Sequence, residues 1–167
     1  MKIIIAPQSF KGSLTALEVS RIIAQSVINN FPDSEIITIP IADGGDGTLQ
    51  TLVDATNGII NTLNVQDPLQ RPINAQWGSL GNKNTAVIEM ARASGLAILN
   101  HNELNPLETT TFGTGELIKE AIDTNHKDII IGIGGSATND AGVGMASALG
   151  YKFIKKNGDL ISLGASE

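Results

Sequence analysis

Asp128-Ile129-Ile130-Ile131-Gly132-Ile133-Gly134-Gly135-Ser136-Ala137-Thr138-Asn139-Asp140 is the stretch that decides the fold class. Its opening run of β-branched apolar residues reads as a buried strand of a parallel sheet. A Gly-rich turn follows, and then a small-residue helix through Leu149. Strand, Gly-rich turn and helix in that order form an α/β unit, with the turn at the carboxyl end of the strand, where such sheets bind ligands. Amides at a helix start point outward at the positive end of its dipole, so an anion is stabilised there, and glycine lets the backbone approach it. The spacing Gly132-x-Gly134-x-x-Ala137 also fits a degenerate dinucleotide fingerprint, although Lys155-Lys156 stands where its acidic residue belongs. The same residues serve equally as a tight turn with no ligand.

Working outward, Ile3 to Ala6 is a second short apolar run, stopped by Pro7, and predicts a buried parallel strand. Residues 14–28 carry Leu14, Leu17, Ile22, Ile23 and Val27 at helical spacings, with Thr15 and Glu18 placed as a capping box and Pro32 just beyond. Glu35 to Pro40 predicts a strand, and residues 49–55 a helix ending on Gly58 as its C′ residue. Residues 59–65 and 73–80 read as strands joined by the turn Asp67-Pro68-Leu69-Gln70-Arg71-Pro72. Thr85 to Met90 is another strand, and 113–124 a helix with Leu117, Ile118, Ala121 and Ile122 on one face. Tyr151 to Ile154 begins a further strand. The expected architecture is α/β: a parallel-sheet element of Rossmann or flavodoxin type with a second strand-rich α/β lobe. Boundaries are expected near residues 60 and 112, giving segments 1–60, 61–112 and 113–167.

Composition narrows the function classes. The chain has 167 residues, 41% hydrophobic and 17% charged, enough apolar content for a packed core. There is no Cys, hence no disulfide framework and no Cys-based metal centre. A pI near 4.8 argues against a nucleic-acid partner. No apolar run approaches a bilayer span and no signal peptide is readable, so a cytoplasmic protein without a membrane partner is expected. A Gly-Lys-Ser/Thr P-loop, the protein-kinase signatures and a Gly-x-Ser-x-Gly elbow are all absent.

Four further stretches carry candidate chemistry. Ala42-Asp43-Gly44-Gly45-Asp46-Gly47-Thr48 sets two carboxylates three residues apart among glycines, a pattern that can hold a divalent cation, activate a hydroxyl or simply cap the next helix. In Gln8-Ser9-Phe10-Lys11-Gly12-Ser13, Lys11 can neutralise a phosphate or carboxylate to which Ser9 and Ser13 donate. Thr109-Thr110-Thr111 leads into a helix start. Arg92 is placed either to clamp a carboxylate bidentately or to pair with Glu89. His101 and His126 are isolated and read as surface residues, and Trp77 as packing.

Taken together, six motifs resemble the bacterial glycerate kinase family. They are Ala6-Pro7-x-Ser9-Phe10-Lys11-Gly12-Ser13-Leu14, Ala42-Asp43-Gly44-Gly45-x-Gly47-Thr48, Asp67-Pro68-Leu69-x-Arg71-Pro72, the segment 86–96, the segment 109–118, and Ile131 to Asp140. The resemblance implies two unlike α/β domains, one flavodoxin-like, facing each other across a cleft. It implies ATP-dependent phosphorylation of D-glycerate with Mg²⁺, to 2-phosphoglycerate in preference to 3-phosphoglycerate. Laid over the motifs, Asp43 is the expected base or Mg²⁺ ligand with Asp46 in support, and Lys11 neutralises charge. Ser9 and Ser13 donate hydrogen bonds. Gly134, Gly135, Ser136, Thr138, Asn139 and Asp140 hold phosphate, and Arg92 clamps the glycerate carboxylate.

Three departures qualify the resemblance: Gln8 stands where the family has Asp, Asp46 replaces Glu, and the chain stops at Glu167 where the family continues. The resemblance therefore implies a fold incomplete relative to the family, a fragment or truncated reading frame. The missing half is then supplied from elsewhere or replaced by self-association. Two other readings stand beside it: a nucleotide-binding module without chemistry, from Gly132-x-Gly134, and an inactive remnant, from Gln8.

Overall fold

The computed structural model describes residues 1–10 and 13–166, and they fall into two compact units, Met1–Asp43 and Gly44–Glu167. In the first unit, β1 (Lys2–Ile5) pairs in parallel with β2 (Glu35–Thr38), and α1 (Ala16–Asn30) makes the crossover. α1 begins where the capping box is expected. Glu18 N donates to Thr15 Oγ1 at 3.2 Å, and Thr15 N donates back to Glu18 Oε2 at 2.8 Å. The Thr15 amide holds the Glu18 carboxyl below the usual carboxylate range. The buried stripe of α1 differs from the expected one. Ala16, Val19 and Ser20 are buried, whereas Ile22 and Ile23 are exposed. Small residues let the helix lie close, and the Ser20 hydroxyl donates to Ala16 O at 2.8 Å. β1 is likewise half-buried, with Ile5 buried and Ile4 62% exposed. A parallel sheet is buried on both faces only when helices cover both, and α1 packs on these two strands alone in this unit.

The second unit is built on a four-stranded sheet of order β3-β4-β5-β6. Its elements are α2 (Thr48–Thr56), β3 (Ile59–Gln66), β4 (Pro72–Ser79), β5 (Thr85–Glu89), α3 (Ala91–Ser94), α4 (Phe112–Asp123), β6 (Asp128–Gly132) and α5 (Val143–Ala148). β3 and β4 form the expected antiparallel hairpin. β5 runs antiparallel to β4 and parallel to β6, with Glu89 opposite Gly132 at the carboxyl ends. Each residue of β5 is buried. α2 covers one face, packing Leu49 and Val53 with Leu80 and Val87. α4 covers the other, setting Leu117, Ile118 and Ala121 against Val65, Ala75, Trp77, Ala86 and Ile88.

The division after Asp43 differs from the boundaries expected near 60 and 112. The hairpin of residues 59–79 shares one sheet with β6, so the segments 61–112 and 113–167 belong to one unit. Tyr151 to Ile154 makes only an isolated bridge, Ile154 to Leu160, rather than a strand. The left-handed residue ending α2 is Asn57, φ +52°. Gly58 answers a different constraint: a Cβ there would lie 2.3 Å from Ser79 O. Ile122 is exposed, and His126 is half-buried. Its ring meets Trp77 edge-on at 5.2 Å and its Nε2 lies 2.8 Å from Ser79 Oγ.

Two polar clusters lock the loops of this unit. Asp67, 1% exposed, accepts from Leu69 N, Arg71 N and Arg71 Nε, and Arg71 reaches on to Glu103 at 2.6 Å. Arg71 in turn holds the Glu103 carboxyl below its ordinary range. The second cluster centres on Asp140, 5% exposed. It accepts from the Thr110 and Thr111 hydroxyls and from the amides of Thr111, Gly142 and Gly144. Thr111 Oγ1 then accepts from Met145 N at 2.9 Å.

Two substitutions test this description. Thr15→Ala should cost about 1 kcal/mol through loss of the cap, read by circular dichroism in urea. Asp140→Ala leaves buried amides without an acceptor and should cost about 3 kcal/mol or more. Trp77, the one tryptophan, reports the unfolding of its unit by fluorescence; an unchanged midpoint would show that Asp140 is no keystone.

Candidate active site

The parallel pair β5 and β6 ends at Glu89 and Gly132, and three loops meet there: 44–48 before α2, 90–95 after β5 and 133–142 after β6. Ligands of open α/β sheets gather at such carboxyl ends. Gly134 N donates to Gly44 O at 2.8 Å. A Cβ on Gly132 would lie 2.6 Å from Gly44 O, and one on Gly134 would lie 2.6 Å from Gly45 Cα. Glycine at 132 and 134 is therefore required by the other Gly-rich loop, which packs backbone to backbone against this one. The far side of the 133–142 loop is bound to the segment after β5. Leu96 N donates to Gly135 O at 2.9 Å, and Ala137 N to Ser94 O at 2.9 Å.

The 44–48 loop is held from below. Gly44 N donates to Thr48 Oγ1 at 3.0 Å, and Leu49 N, in the first turn of α2, donates to Glu89 Oε2 at 2.9 Å. Gly47 takes the N-cap position with φ +92°, a conformation natural to glycine. Asp46 rides on this turn with its side chain exposed, and its Oδ1 would lie 3.6 Å from a Cβ on Gly135. Arg92 Nε lies 3.3 Å from Glu89 Oε1, and its Nη1 donates to Gln76 Oε1 at 3.4 Å. Its Nε is buried at this contact, while the side chain as a whole keeps 39% exposure.

The structure thus brings Asp46, Gly134, Gly135 and the β5 end that carries Arg92 to one edge of the sheet. Ser136 Oγ and Thr138 Oγ1 hydrogen-bond to each other at 2.8 Å in the same loop, while Asn139 is exposed. Asp140 has a different place from the one expected. It is buried and saturated by protein donors, so it shapes the loop from inside instead of facing a ligand. The expected helix start is also displaced. α5 begins only at Val143, and the amides of Gly144 and Met145 are taken by Asp140 and Thr111. Internal carboxylate and hydroxyl oxygens fill the place where an anion was expected.

Ser9, Ser13 and Asp43 belong to the first unit, where Ser13 N donates to Phe10 O at 2.8 Å and Asp43 is exposed. Lys11 lies outside the described residues. Among the described residues, no three His, Asp or Glu side chains gather as a metal cage. The exposed Asp43 and Asp46 carboxylates are hard oxygen donors of the kind Mg²⁺ uses singly or in pairs, with waters and phosphate oxygens completing the shell. The signals missed in the sequence are the internal partners, Glu89 for α2 and Asp140 for α5. Both are ordinary residues whose role depends on contacts distant in the chain.

No helix among the described residues is long and apolar enough to cross a membrane. Comparison with known proteins is consistent along the chain. The glycerate kinase family model matches residues 3–167. A glycerate kinase of Bacillus subtilis is 52% identical over 98% of this chain, and a glycerate 2-kinase of Escherichia coli is 48% identical over 98%. The crystal structure of a chain described as glycerate kinase 2 from Salmonella typhimurium LT2 superposes with a TM-score of 0.86 at 48% identity, over 98% of this chain. The chain spans 43% of each of those two relatives and 44% of that structure. On a match that runs from Ile3 to the last residue, the chain belongs to the glycerate kinase family.

Proposed function

We propose that this chain takes part in the ATP-dependent phosphorylation of D-glycerate to 2-phosphoglycerate. The supporting observation is that an exposed carboxylate, Asp46, stands beside Gly135 at the carboxyl ends of β5 and β6, where Arg92 also sits. The relative named glycerate 2-kinase favours the 2-hydroxyl as the acceptor.

Phosphoryl transfer depends on positioning and charge compensation more than on covalent chemistry by the protein. Arg92 offers a planar, permanently charged fork suited to the glycerate carboxylate. Asp43 takes the proton of the substrate hydroxyl as its oxygen attacks the γ-phosphorus. The new O–P bond forms as the bond to the β-phosphate oxygen breaks, and ADP leaves. Asp46 would hold Mg²⁺, which when bound supplies compensation for phosphate charge. Lys11, Ser9 and Ser13 serve the same charge and donor roles. Ser136, Thr138 and Asn139 contribute hydroxyl and amide groups around the phosphates, and the backbone at Gly134 and Gly135 lets them come close. The protein works where its nucleotide is, in the cytoplasm.

The test is glycerate-dependent ADP release by the protein, with the product assigned by ³¹P NMR. Asp43→Asn should lower kcat by about 10²-fold or more, and Arg92→Ala should raise KM for glycerate by about tenfold or more. ATP binding without glycerate-dependent turnover would make this a nucleotide-binding module. Binding of neither ATP nor glycerate would overturn the proposal.

A further inference from the structure

We propose that Glu89 is the positioning residue that fixes Arg92 and the Asp46 turn relative to each other; the inference rests on the reading of those two residues given above. Glu89 ends β5 with its side chain 1% exposed. Its two oxygens point to different elements. Oε2 accepts from Leu49 N in the first turn of α2 at 2.9 Å, and Oε1 lies 3.3 Å from Arg92 Nε.

Each contact answers a specific need. The first amides of a helix have no intrahelical acceptor, and Gly47, at the N-cap of α2, has no side chain to supply one. A carboxylate at the positive end of the helix is the strongest substitute. Arg92 Nε is buried and has no well-aligned hydrogen-bond acceptor among the described residues, so its compensation is the facing carboxylate charge. A buried carboxylate is itself tolerated only when paired and hydrogen-bonded. The arrangement is therefore mutual. Glu89 is stabilised by the helix amide and the guanidinium, and those two groups are held at a spacing set by one rigid carboxylate. α2 follows Asp46 directly, so the tether at Leu49 also fixes the turn that presents Asp46 beside Gly135.

Glu89 touches no reacting atom in this scheme, so its loss should show first in geometry. In the wild-type protein the Leu49 amide should be protected from hydrogen exchange, although the helix offers it no carbonyl. Exchange at the rate of an open amide would overturn the tether without any variant. In Glu89→Gln the single remaining carbonyl cannot serve both partners. The expected result is loss of Leu49 protection or a shift of the Arg92 Nε–H NMR signal, with Trp77 fluorescence still reporting a folded unit. A folded Glu89→Gln protein with both signals unchanged would sink the proposal.

The kinetic arm uses the active protein. Glu89→Gln should raise KM for glycerate about tenfold or more. In an Arg92→Ala background the same change should add little, because the effect travels through Arg92. Additive effects would overturn that route. Absence of ADP release from wild-type protein would count against the proposed activity alone, since the exchange and NMR signals report the positioning independently.

Discussion

The carboxylate of Asp140 is the constraint on which the second unit depends. A buried charge is costly unless every lone pair is met, and here the donors come from two loops far apart in the chain. The Thr110 and Thr111 hydroxyls and the Thr111 amide arrive from the segment before α4, and the Gly142 and Gly144 amides from the turn before α5. Thr110 N in turn donates to Pro68 O in the β3–β4 turn. The hairpin turn, the threonine run and the Gly-rich loop are thus one polar assembly. Gly144 has to be glycine in that assembly, since a Cβ would stand 2.0 Å from Thr110 Oγ1.

Backbone contact between two Gly-rich loops is the other half of the construction. The Gly132 to Gly135 loop and the Gly44-Gly45 segment approach backbone to backbone, and the hydrogen bond from Gly134 N to Gly44 O joins them. A glycine cluster read in isolation suggests a ligand cradle. Here part of the cradle is filled by the other glycine cluster. The consequence for function is positional: Asp46 is carried to the rim of the loop that follows β6.

Local signals explain what could be read in advance. The strands at 85–89 and 128–132, the capping box of α1, the hairpin turn at Asp67 to Pro72 and the helix at 112–123 are written in short-range patterns, and the structure has them, but β6 is not the buried strand expected: Ile130 is 43% and Ile131 40% exposed. The α/β class and the Gly-rich loop at a strand end followed from these. Reading went astray where the answer lay in a distant partner. The buried face of α1 uses Ala16, Val19 and Ser20 in place of the larger isoleucines, because close approach to a two-stranded sheet favours small residues. Gly58 is demanded by Ser79 O across the hairpin, while Asn57 supplies the left-handed turn. The division after Asp43 follows from strand pairing that composition does not encode. Asp43, Asp46 and Arg92 were legible as candidates, but their supports were not, because nothing near Leu49 in sequence announces Glu89.

Two helices of the second unit share one electrostatic device. The Leu49 amide of α2 meets Glu89, and the Gly144 amide of α5 meets Asp140, both carboxylates with almost no exposure. A helix start normally attracts an external anion. In this chain the protein itself supplies a carboxylate to one amide of each helix start. Under the proposed function, charge compensation for a phosphorylated ligand falls to groups that stay accessible, Arg92, whose side chain is 39% exposed, and the Mg²⁺ that the exposed Asp46 would hold. Because Glu89 meets both the Leu49 amide of α2 and Arg92, the guanidinium and the turn that carries Asp46 share a single internal support. A site of that kind owes its geometry to a buried ion pair and a helix cap, and the glycines serve to let the loops meet around it.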